Sequence, residues 1–599
     1  MSEEARELTA ELLVDSAVPY EPVISPDGRQ VACTVRTVGR AERRRSALWL
    51  MAADGSSPPV QLTAGVAADW APHWVPDSAS LYFLSDRTGS TQVHRIRPGG
   101  EAETLTSWAG EISDICPLAD GQLAAVIATD EPSRDDQRRR AERDDAKLWQ
   151  DREPVRRLWV LDLVTRELRA VSSLGRRHVV ECVQRPGGGP LAVVSWVSPD
   201  IDPGCAENEL HVVDPGTGAV HDLGRARVDA HSLAWWQADG GWQLCYLGMP
   251  GPVGGLAVYD VTVPAAEPHG TVAGHRNLTE GMSVCPETLA QVEGGPPLAL
   301  FADGLDTAVY QLDPGARRFR CLAVRDGMLD SLTASRDGAV IAVLASTASE
   351  PENVHAGPPG GPLARLTDTR PELRQVRWGT QERLAYTAAD GLSLDGLLVL
   401  PPGRSRADGP FPLVTLVHGG PYVRWPDQFL LHPHIPAQWL ALAGYAVFLA
   451  NPRGGAGHGH DFAVAVAGSV GGDEWTDILT GIDLLIHEGV ADPGRLGIEG
   501  GSHGGFMAAW AVGQTTRFRA ALMVAGVSDW GMLVAVGENA TFEAGLGGSC
   551  GWEGTGPHPH DQVSPVSFAS KIETPVLIVH GEDDTNVPLG QAVYFHRAL

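Results

Sequence analysis

The sequence predicts two domains, a seven-bladed β-propeller followed by an α/β-hydrolase domain that is truncated at its C-terminus. Three observations lead to this prediction. A length of 599 residues is too great for one ordinary hydrophobic core. A strand-and-turn unit recurs through the first part of the chain. Later, apolar β-rich runs alternate with helical stretches, which is typical of a parallel sheet covered on both faces.

The repeating unit joins a polar turn to an apolar strand and ends in a second strand followed by Asp, Pro or Gly. Seven such second strands begin at intervals of about 43 to 65 residues, close to the length of one four-stranded propeller blade. They lie at 48–50, 93–96, 158–162, 210–214, 256–260, 309–312 and 352–355. Residues 132–154 form a charge-dense insertion, for which we predict a solvated loop or helix. Two packed β-sandwiches are the alternative to a propeller.

The domain limits follow from where these patterns change. We predict a helical extension over residues 1–19, the propeller over 20–367 and the hydrolase domain over 368–599. The apolar runs of the last domain lie at 413–417, 446–450, 496–498, 520–525 and 575–579.

A nucleophile elbow is predicted at Ser502. The pattern Gly500-x-Ser502-x-Gly504 stands between a short apolar strand and a helix of small and apolar residues. A sharp strand-to-helix turn needs small residues on either side of the nucleophile and lifts its hydroxyl above the sheet. The helix N-terminus then faces any negative charge that develops beside the serine.

A serine nucleophile also needs a carboxylate, a histidine and an oxyanion hole. Asp583 and Asp584 both follow the strand at 575–579, and the residues alone do not choose between them. One oxyanion donor is the backbone N–H of His503. The second is predicted from Gly419 or Gly420, in the loop after the strand at 413–417.

Composition and charge exclude several classes of function. The formal net charge of −28 argues against nucleic acid or an anionic membrane as a partner. No signal peptide or long apolar run is present, and the eight cysteines lack close pairs, so we expect reduced thiols in the cytoplasm. The histidine pairs at 458/460 and 558/560 lack acidic or cysteine partners at metal-binding spacing, and we predict no metal and no cofactor. The sequence does not determine the oligomeric state.

The last 200 or so residues resemble the catalytic domain of the prolyl oligopeptidase family of serine peptidases. The similarity is greatest to its acylaminoacyl-peptidase and dipeptidyl-aminopeptidase-like branch. The matching stretches are His-Gly-Gly-Pro at 418–421, Asn-Pro-Arg-Gly-Gly at 451–455, Asp-Pro-Gly-Arg at 492–495, Gly-Gly-Ser-His-Gly-Gly at 500–505 and Asp-Thr-Asn-Val-Pro at 584–588. The resemblance implies a seven-bladed propeller ahead of the hydrolase and selects Asp584 as the acid.

The chain departs from this family in two places. The residue after the nucleophile is usually Tyr, whereas here it is His503, so side-chain contacts to substrate are in doubt. The family's histidine base lies about thirty residues beyond the acid, which places it beyond Leu599. His596 is the one histidine after Asp584, and it falls on a predicted helix.

The resemblance implies a serine peptidase that cleaves short peptides or N-acylated amino acids through an acyl-enzyme on Ser502. An esterase or amidase acting on an N-acylated small molecule is one alternative. The other is an inactive propeller interaction protein that lacks the catalytic histidine. We expect residues 1–599 alone to be nearly inactive and prone to aggregation.

Overall fold

The structure, a computed structural model of the chain, describes residues 7–37, 45–144, 154–238, 241–264, 274–432, 435–552 and 554–599. The first residues of the predicted N-terminal extension and residues 145–153 of the predicted insertion lie outside this description. The described part of the extension contains helix α1 (Ala10–Val14). The described part of the insertion contains helix α2 (Arg134–Glu142), whose side chains are exposed.

Seven antiparallel four-stranded sheets confirm the predicted propeller. The first three blades comprise β1 (Ala17–Ile24), β2 (Gln30–Thr37), β3 (Ser46–Ala52), β4 (Val60–Gln61); β5 (Asp69–Trp74), β6 (Leu81–Ser85), β7 (Gln92–Ile96), β8 (Glu103–Thr104); and β9 (Ile112–Pro117), β10 (Leu123–Thr129), β11 (Arg156–Asp162), β12 (Leu168–Ala170). The fourth and fifth comprise β13 (His178–Gln184), β14 (Leu191–Trp196), β15 (Asn208–Val213), β16 (Val220–Arg225); and β17 (Val228–Ala238), β18 (Gly241–Met249), β19 (Ala257–Thr262), β20 (Arg276–Asn277). The last two comprise β21 (Cys285–Ala290), β22 (Leu298–Asp303), β23 (Asp306–Asp313), β24 (Arg318–Arg325); and β25 (Met328–Ala334), β26 (Ile341–Ser346), β27 (Asn353–Gly357), β28 (Ala364–Arg365). A short helix, α3 (Ile201–Gly204), lies in the fourth blade.

The repeated polar turn has the same structure in the first and seventh blades. The Ser25 hydroxyl donates to Asp27 at 2.6 Å, and the Ser335 hydroxyl donates to Asp337 at 2.7 Å. In both turns the glycine after the aspartate, Gly28 or Gly338, has a positive φ, of 74° and 68° respectively. Local side-chain hydrogen bonds and a glycine with a positive φ therefore stabilise this turn, which leads into β2 in the first blade and into β26 in the seventh.

The propeller ring closes without exchanging a strand between its first and last blades. Each blade takes four consecutive strands, so side chains must join β1 to the seventh blade. The backbone N–H of Ile24 donates to the Thr333 hydroxyl, which donates in turn to the Pro22 carbonyl, both at 3.1 Å. Buried apolar residues of the two blades, including Val31 and Leu344, fill the space between the sheets.

The second domain contains a seven-stranded sheet in the order β29-β30-β32-β31-β33-β34-β35. Its strands are β29 (Thr380–Thr387), β30 (Ser393–Leu400), β31 (Phe411–Val417), β32 (Ala446–Asn451), β33 (Ala491–Gly501), β34 (Phe518–Val524) and β35 (Val576–Val579). The hairpin β29–β30 is antiparallel, β30 pairs antiparallel with β32, and the pairs from β32 to β35 are parallel, so the predicted α/β-hydrolase domain is confirmed.

Helices cover both faces of this sheet. They are α4 (Ala437–Leu442), α5 (His460–Ala463), α6 (Asp473–His487), α7 (His503–Gln514), α8 (Trp530–Val536), α9 (Ala540–Gly547) and α10 (Gly590–Ala598). Successive residues of β30 face opposite sides of the sheet. Leu397 packs in the cluster that contains α4 residues, and Leu398 packs in the cluster that contains α6 residues. Such two-sided burial explains why the strands read as continuous apolar runs.

β33 is longer than the strand at 496–498 that the sequence predicts. Ala491 pairs with Phe411, the register then shifts, and regular parallel pairing resumes where Leu496 meets Leu413. Residues 492–495, which lie between these two pairs, are not apolar, so the sequence pattern does not show the first part of the strand.

The loop after β31 joins the hydrolase domain to the sixth blade. Arg424 is buried and donates to the Gly304 carbonyl at 3.0 Å and to the Thr307 hydroxyl at 3.1 Å. The backbone N–H of Asp427 donates to the Leu305 carbonyl at 2.9 Å. The propeller therefore helps to fix a loop that begins beside the nucleophile.

No helix in the described part of the chain is long and apolar enough to cross a membrane.

Candidate active site

Ser502 lies at the turn from β33 into α7. Its φ of 56° and ψ of −120° are strained for a residue with a side chain, at a typical cost of about 1–3 kcal/mol. The neighbouring glycines are required, because a Cβ on Gly500 would lie 2.4 Å from Gly504 backbone atoms. A Cβ on Gly504 would lie 2.1 Å from the Val417 carbonyl oxygen. The turn therefore has the geometry of a nucleophile elbow.

The loop after β31 lies directly beside this elbow. A Cβ built on Gly419 would be 3.5 Å from the Cβ of Ser502. Gly420 has a φ of 110°, a conformation that favours glycine. His503 is the first residue of α7, where backbone N–H groups have no partner within the helix. The structure thus brings together the nucleophile and the two segments from which the oxyanion donors are predicted.

The side chain of His503 points into the protein. Its ring is 4% exposed, and its Nε2 lies 3.0 Å from Oε2 of Glu474, whose side chain is 2% exposed. Glu474 belongs to the first turn of α6. The sequence left side-chain contacts to substrate in doubt at residue 503, and in the structure the ring points away from solvent.

The predicted acid, Asp584, lies in the loop between β35 and α10. Its Oδ1 accepts the Val587 N–H at 2.9 Å, and its Oδ2 lies 3.7 Å from Nε2 of His580. Asp584 is half-buried, whereas Asp583 is exposed. The more enclosed position of Asp584 agrees with a carboxylate that orients another group.

His580 and His596 are the described histidines nearest to this acid in the chain. The His580 ring is buried, and its Nε2–H donates to the Val587 carbonyl at 2.6 Å, so it braces the same loop. His596 is exposed on α10. In the described part of the chain, the Ser502 hydroxyl has no recorded hydrogen bond to a histidine or to Asp584. The structure therefore places the nucleophile and the oxyanion segments together but leaves the base unassigned.

A groove of about 710 Å³ lies between β35 and α10 and includes both His580 and His596. β35 is the last strand in the described sheet, and its Leu577 and Val579 are 62% and 48% exposed. This edge of the sheet is apolar and open.

A cavity of about 370 Å³ lies between the fifth to seventh blades and the loop after β31. It is lined on the propeller side by Glu287 and Asp330, and on the hydrolase side by Tyr422 and Arg424. Burial raises the pKa of Glu287, and the Arg424 guanidinium 3.4 Å away opposes that rise. The sequence gives no sign of this cavity, because residues about 90 to 140 positions apart in the chain form its walls.

Arg453, in the Asn-Pro-Arg-Gly-Gly stretch, ties the sheet to α6. Its side chain donates to both carboxylate oxygens of the buried Asp477 at 2.8 Å and to Asp390 at 2.8 and 3.2 Å. This motif therefore holds α6, and with it Glu474, against the strands that carry the site.

The paired histidines have ordinary partners. His458 contacts Asp395 at 2.9 Å, and His560 contacts the Ser549 hydroxyl at 2.8 Å. No group of three or more His, Cys, Asp or Glu residues in the described ranges is arranged to hold a metal ion.

The sequence profile of the prolyl oligopeptidase family matches residues 434–599. Residues 434–599 are thus similar to that family. This match covers the elbow and Asp584 and identifies a serine hydrolase domain.

Relatives extend the similarity beyond this region. An uncharacterized peptidase of Bacillus subtilis, YuxL, is 34% identical over 260 residues, which cover 42% of this chain and 37% of that protein. The acylamino-acid-releasing enzyme of Sus scrofa is 28% identical over 296 residues, covering 45% and 38%. The chain thus spans under two fifths of the length of these curated relatives.

The fold as a whole is that of a known structure. The acylaminoacyl peptidase of Pyrococcus horikoshii superposes with a TM-score of 0.79 over 98% of this chain and 89% of that one, at 19% identity. At that identity the likeness concerns the fold alone.

Proposed function

We propose that this protein is a serine peptidase that hydrolyses short peptides or N-acylated amino acids through an acyl-enzyme on Ser502. The observation that carries the proposal is the strained elbow at Ser502 with Gly419 packed beside it. The acylamino-acid-releasing enzyme among the relatives supports this substrate class.

In the proposed reaction the Ser502 oxygen attacks the carbonyl carbon of the substrate while its proton passes to an imidazole base. The backbone N–H groups of His503 and of Gly419 or Gly420 receive the negative charge that forms on the carbonyl oxygen. The imidazole returns the proton to the departing amine, and the acyl group stays on Ser502 as an ester. Water then attacks this ester and restores the free serine.

Asp584 is proposed to orient the imidazole and to stabilise its charged form. No described histidine is hydrogen-bonded to Ser502, so the identity of this imidazole is left open. The domain limits 1–19, 20–367 and 368–599 are likewise proposed as folding units.

The cavity between the domains supports access by small, extended substrates. Its volume is within the range of about 300–1,000 Å³ that is typical of ligand pockets. Tyr422 and Arg424 of the loop after β31 line it, and we propose that a chain bound at Ser502 extends into it toward the propeller. A cytoplasmic location is proposed from the eight cysteines, all of which are free thiols.

The test uses chromogenic acyl-amino-acid, dipeptide and ester substrates side by side, each measured with the wild type and with Ser502→Ala. Hydrolysis of peptide and acyl-amino-acid amides that disappears in the variant supports the peptidase. Selective ester hydrolysis supports the esterase alternative, and no hydrolysis by a full-length protein supports the propeller interaction protein.

A further inference from the structure

A buried histidine–glutamate pair lies next to the candidate nucleophile. It joins the first residue of α7, His503, to the first turn of α6, at Glu474, with 3.0 Å between Nε2 and Oε2. Charged groups of this kind are rarely buried unless they are paired and hydrogen-bonded. The pair therefore has to be complete for this region to be stable.

Hydrogen bonds define which nitrogen of His503 carries a proton. The second oxygen of Glu474, Oε1, accepts the backbone N–H of Gly471 at 2.6 Å. An ionised carboxylate can only accept hydrogen bonds, and both oxygens of Glu474 have a nitrogen within hydrogen-bonding distance. Nε2 of His503 must then be the donor. Its Nδ1 is buried without a hydrogen-bond partner among the described residues.

Aromatic packing holds the His503 ring in place. The ring centroids of Phe506 and Trp530 lie 5.3 and 6.2 Å from that of His503. Since the ring is held by its neighbours and by Glu474, the backbone of residue 503 is fixed as well. That backbone carries the N–H proposed to receive the oxyanion.

The other titratable groups facing the pair come from the loop after β31. Burial lowers the pKa of His418 to about 4, so this ring is neutral, and its Nδ1–H donates to the Gly419 carbonyl at 2.8 Å. Burial raises the pKa of Tyr422, which is therefore also neutral. His503 and Glu474 thus face each other as a hydrogen-bonded pair in this buried region, close to the loop after β31.

We propose that Glu474 is a positioning residue, which acts through the His503 ring to fix the backbone N–H of the oxyanion hole. This inference rests on the proposed function.

Two kinds of measurement test this proposal in the same samples. The rate at which a fluorophosphonate probe labels Ser502 reports the site. ¹⁵N NMR of histidine-labelled protein reports the ring nitrogens and the backbone amide of His503. His503→Gln identifies the His503 signals by their loss.

Glu474→Gln places an amide opposite Nε2, so we expect the proton of His503 to move to Nδ1. We also expect the backbone amide signal to shift and labelling to slow at least tenfold. Complete loss of an oxyanion donor costs about 10²–10³ in rate, so we expect labelling to slow by no more than this factor. Glu352→Gln, which neutralises another enclosed carboxyl in the seventh blade, should leave all three readouts unchanged.

A second pair of variants covers the case in which Glu474→Gln does not fold. His503→Gln can still donate to Glu474 and should keep labelling within about threefold, whereas His503→Leu leaves the carboxylate unpaired and should lose tenfold or more. Equal labelling by these two variants, or an unmoved His503 amide signal in Glu474→Gln, overturns the proposal. A wild type that the probe never labels contradicts the proposed function instead, and the amide signal then decides the role of Glu474.

Discussion

The Ser195 hydroxyl oxygen lies 2.7 Å from Nε2 of His211, a serine–histidine contact in the fourth blade of the propeller. Nδ1 of His211 lies 2.6 Å from Asp222, which completes the arrangement of a catalytic triad. Ser195 is fully buried, however, and its oxygen also accepts a hydrogen bond from Arg177 at 2.9 Å. With no access for a substrate and no elbow, this network braces three strands of a blade.

The two serines should therefore respond to substitution in opposite ways. We expect Ser502→Ala to abolish fluorophosphonate labelling with little change in melting temperature, because its hydroxyl makes no recorded hydrogen bond. Ser195→Ala should keep full labelling but destabilise the protein by about 1–3 kcal/mol, since it leaves buried polar groups unpaired. Labelling and thermal denaturation of both variants check this. Persistent labelling in Ser502→Ala would rule out the elbow as the nucleophile.

Asp584→Asn should lower turnover by several orders of magnitude, because the amide no longer fixes the proton position of the histidine base. The comparable change in a serine protease costs about 10⁴. Asp583→Asn is the matched control, since Asp583 is adjacent and exposed, and it should cost less than tenfold. Steady-state kinetics on an acyl-amino-acid substrate distinguish the two. A reversed order would assign the catalytic role to Asp583.

The base can be located by comparing residues 1–599 with a protein extended along its reading frame by about 60 codons, enough for a strand, a loop and a helix. Activity in the longer protein, with residues 1–599 about 10⁶-fold slower, would place the base beyond Leu599, since that factor is the cost of losing a triad histidine. The apolar edge of β35 should also make the shorter protein aggregate more readily. Equal, substantial activity would show that a histidine within residues 1–599 serves as base, and His596→Ala would be the first variant to test.

Glu543 on α9 gives the stability of the hydrolase domain a pH dependence. Burial raises its pKa to about 8, so the folded protein retains a proton that the unfolded chain loses above about pH 4.5. Stability should therefore fall as the pH rises from about 4.5 to 8, by an amount on the order of 4 kcal/mol. Glu543→Gln should remove this fall and raise the melting temperature at pH 9 more than at pH 5. Glu582→Gln, at an exposed position, should do neither. If the stability of Glu543→Gln falls with rising pH as steeply as that of the wild type, the assignment is contradicted.

The fold class could be predicted because its signals are local. Turns such as that at Ser25 and Asp27 form their hydrogen bonds within a few residues, so the sequence of the turn alone is enough to recognise the repeat. The elbow is equally local, since Gly500 and Gly504 are required by contacts within the turn and with the adjacent strand.

The missed residues depend on tertiary contacts. Glu474 meets His503 across 29 positions, and Arg424 meets Thr307 across 117. Nothing near either residue in the chain marks it as different from an ordinary charged surface residue. A pairing of this kind becomes visible only when two elements are packed together.

The absence of a shared strand at the propeller seam has a mechanical consequence. If the N-terminus is pulled while the hydrolase domain is held, the first blade separates by breaking side-chain packing and a few hydrogen bonds such as that between Ile24 and Thr333. It then extends as a unit of about 45 residues, or about 150 Å of contour length. Once the N-terminal segment has left its apolar contacts with residues such as Phe429 and Leu431, we expect the polypeptide to unravel blade by blade from its amino end.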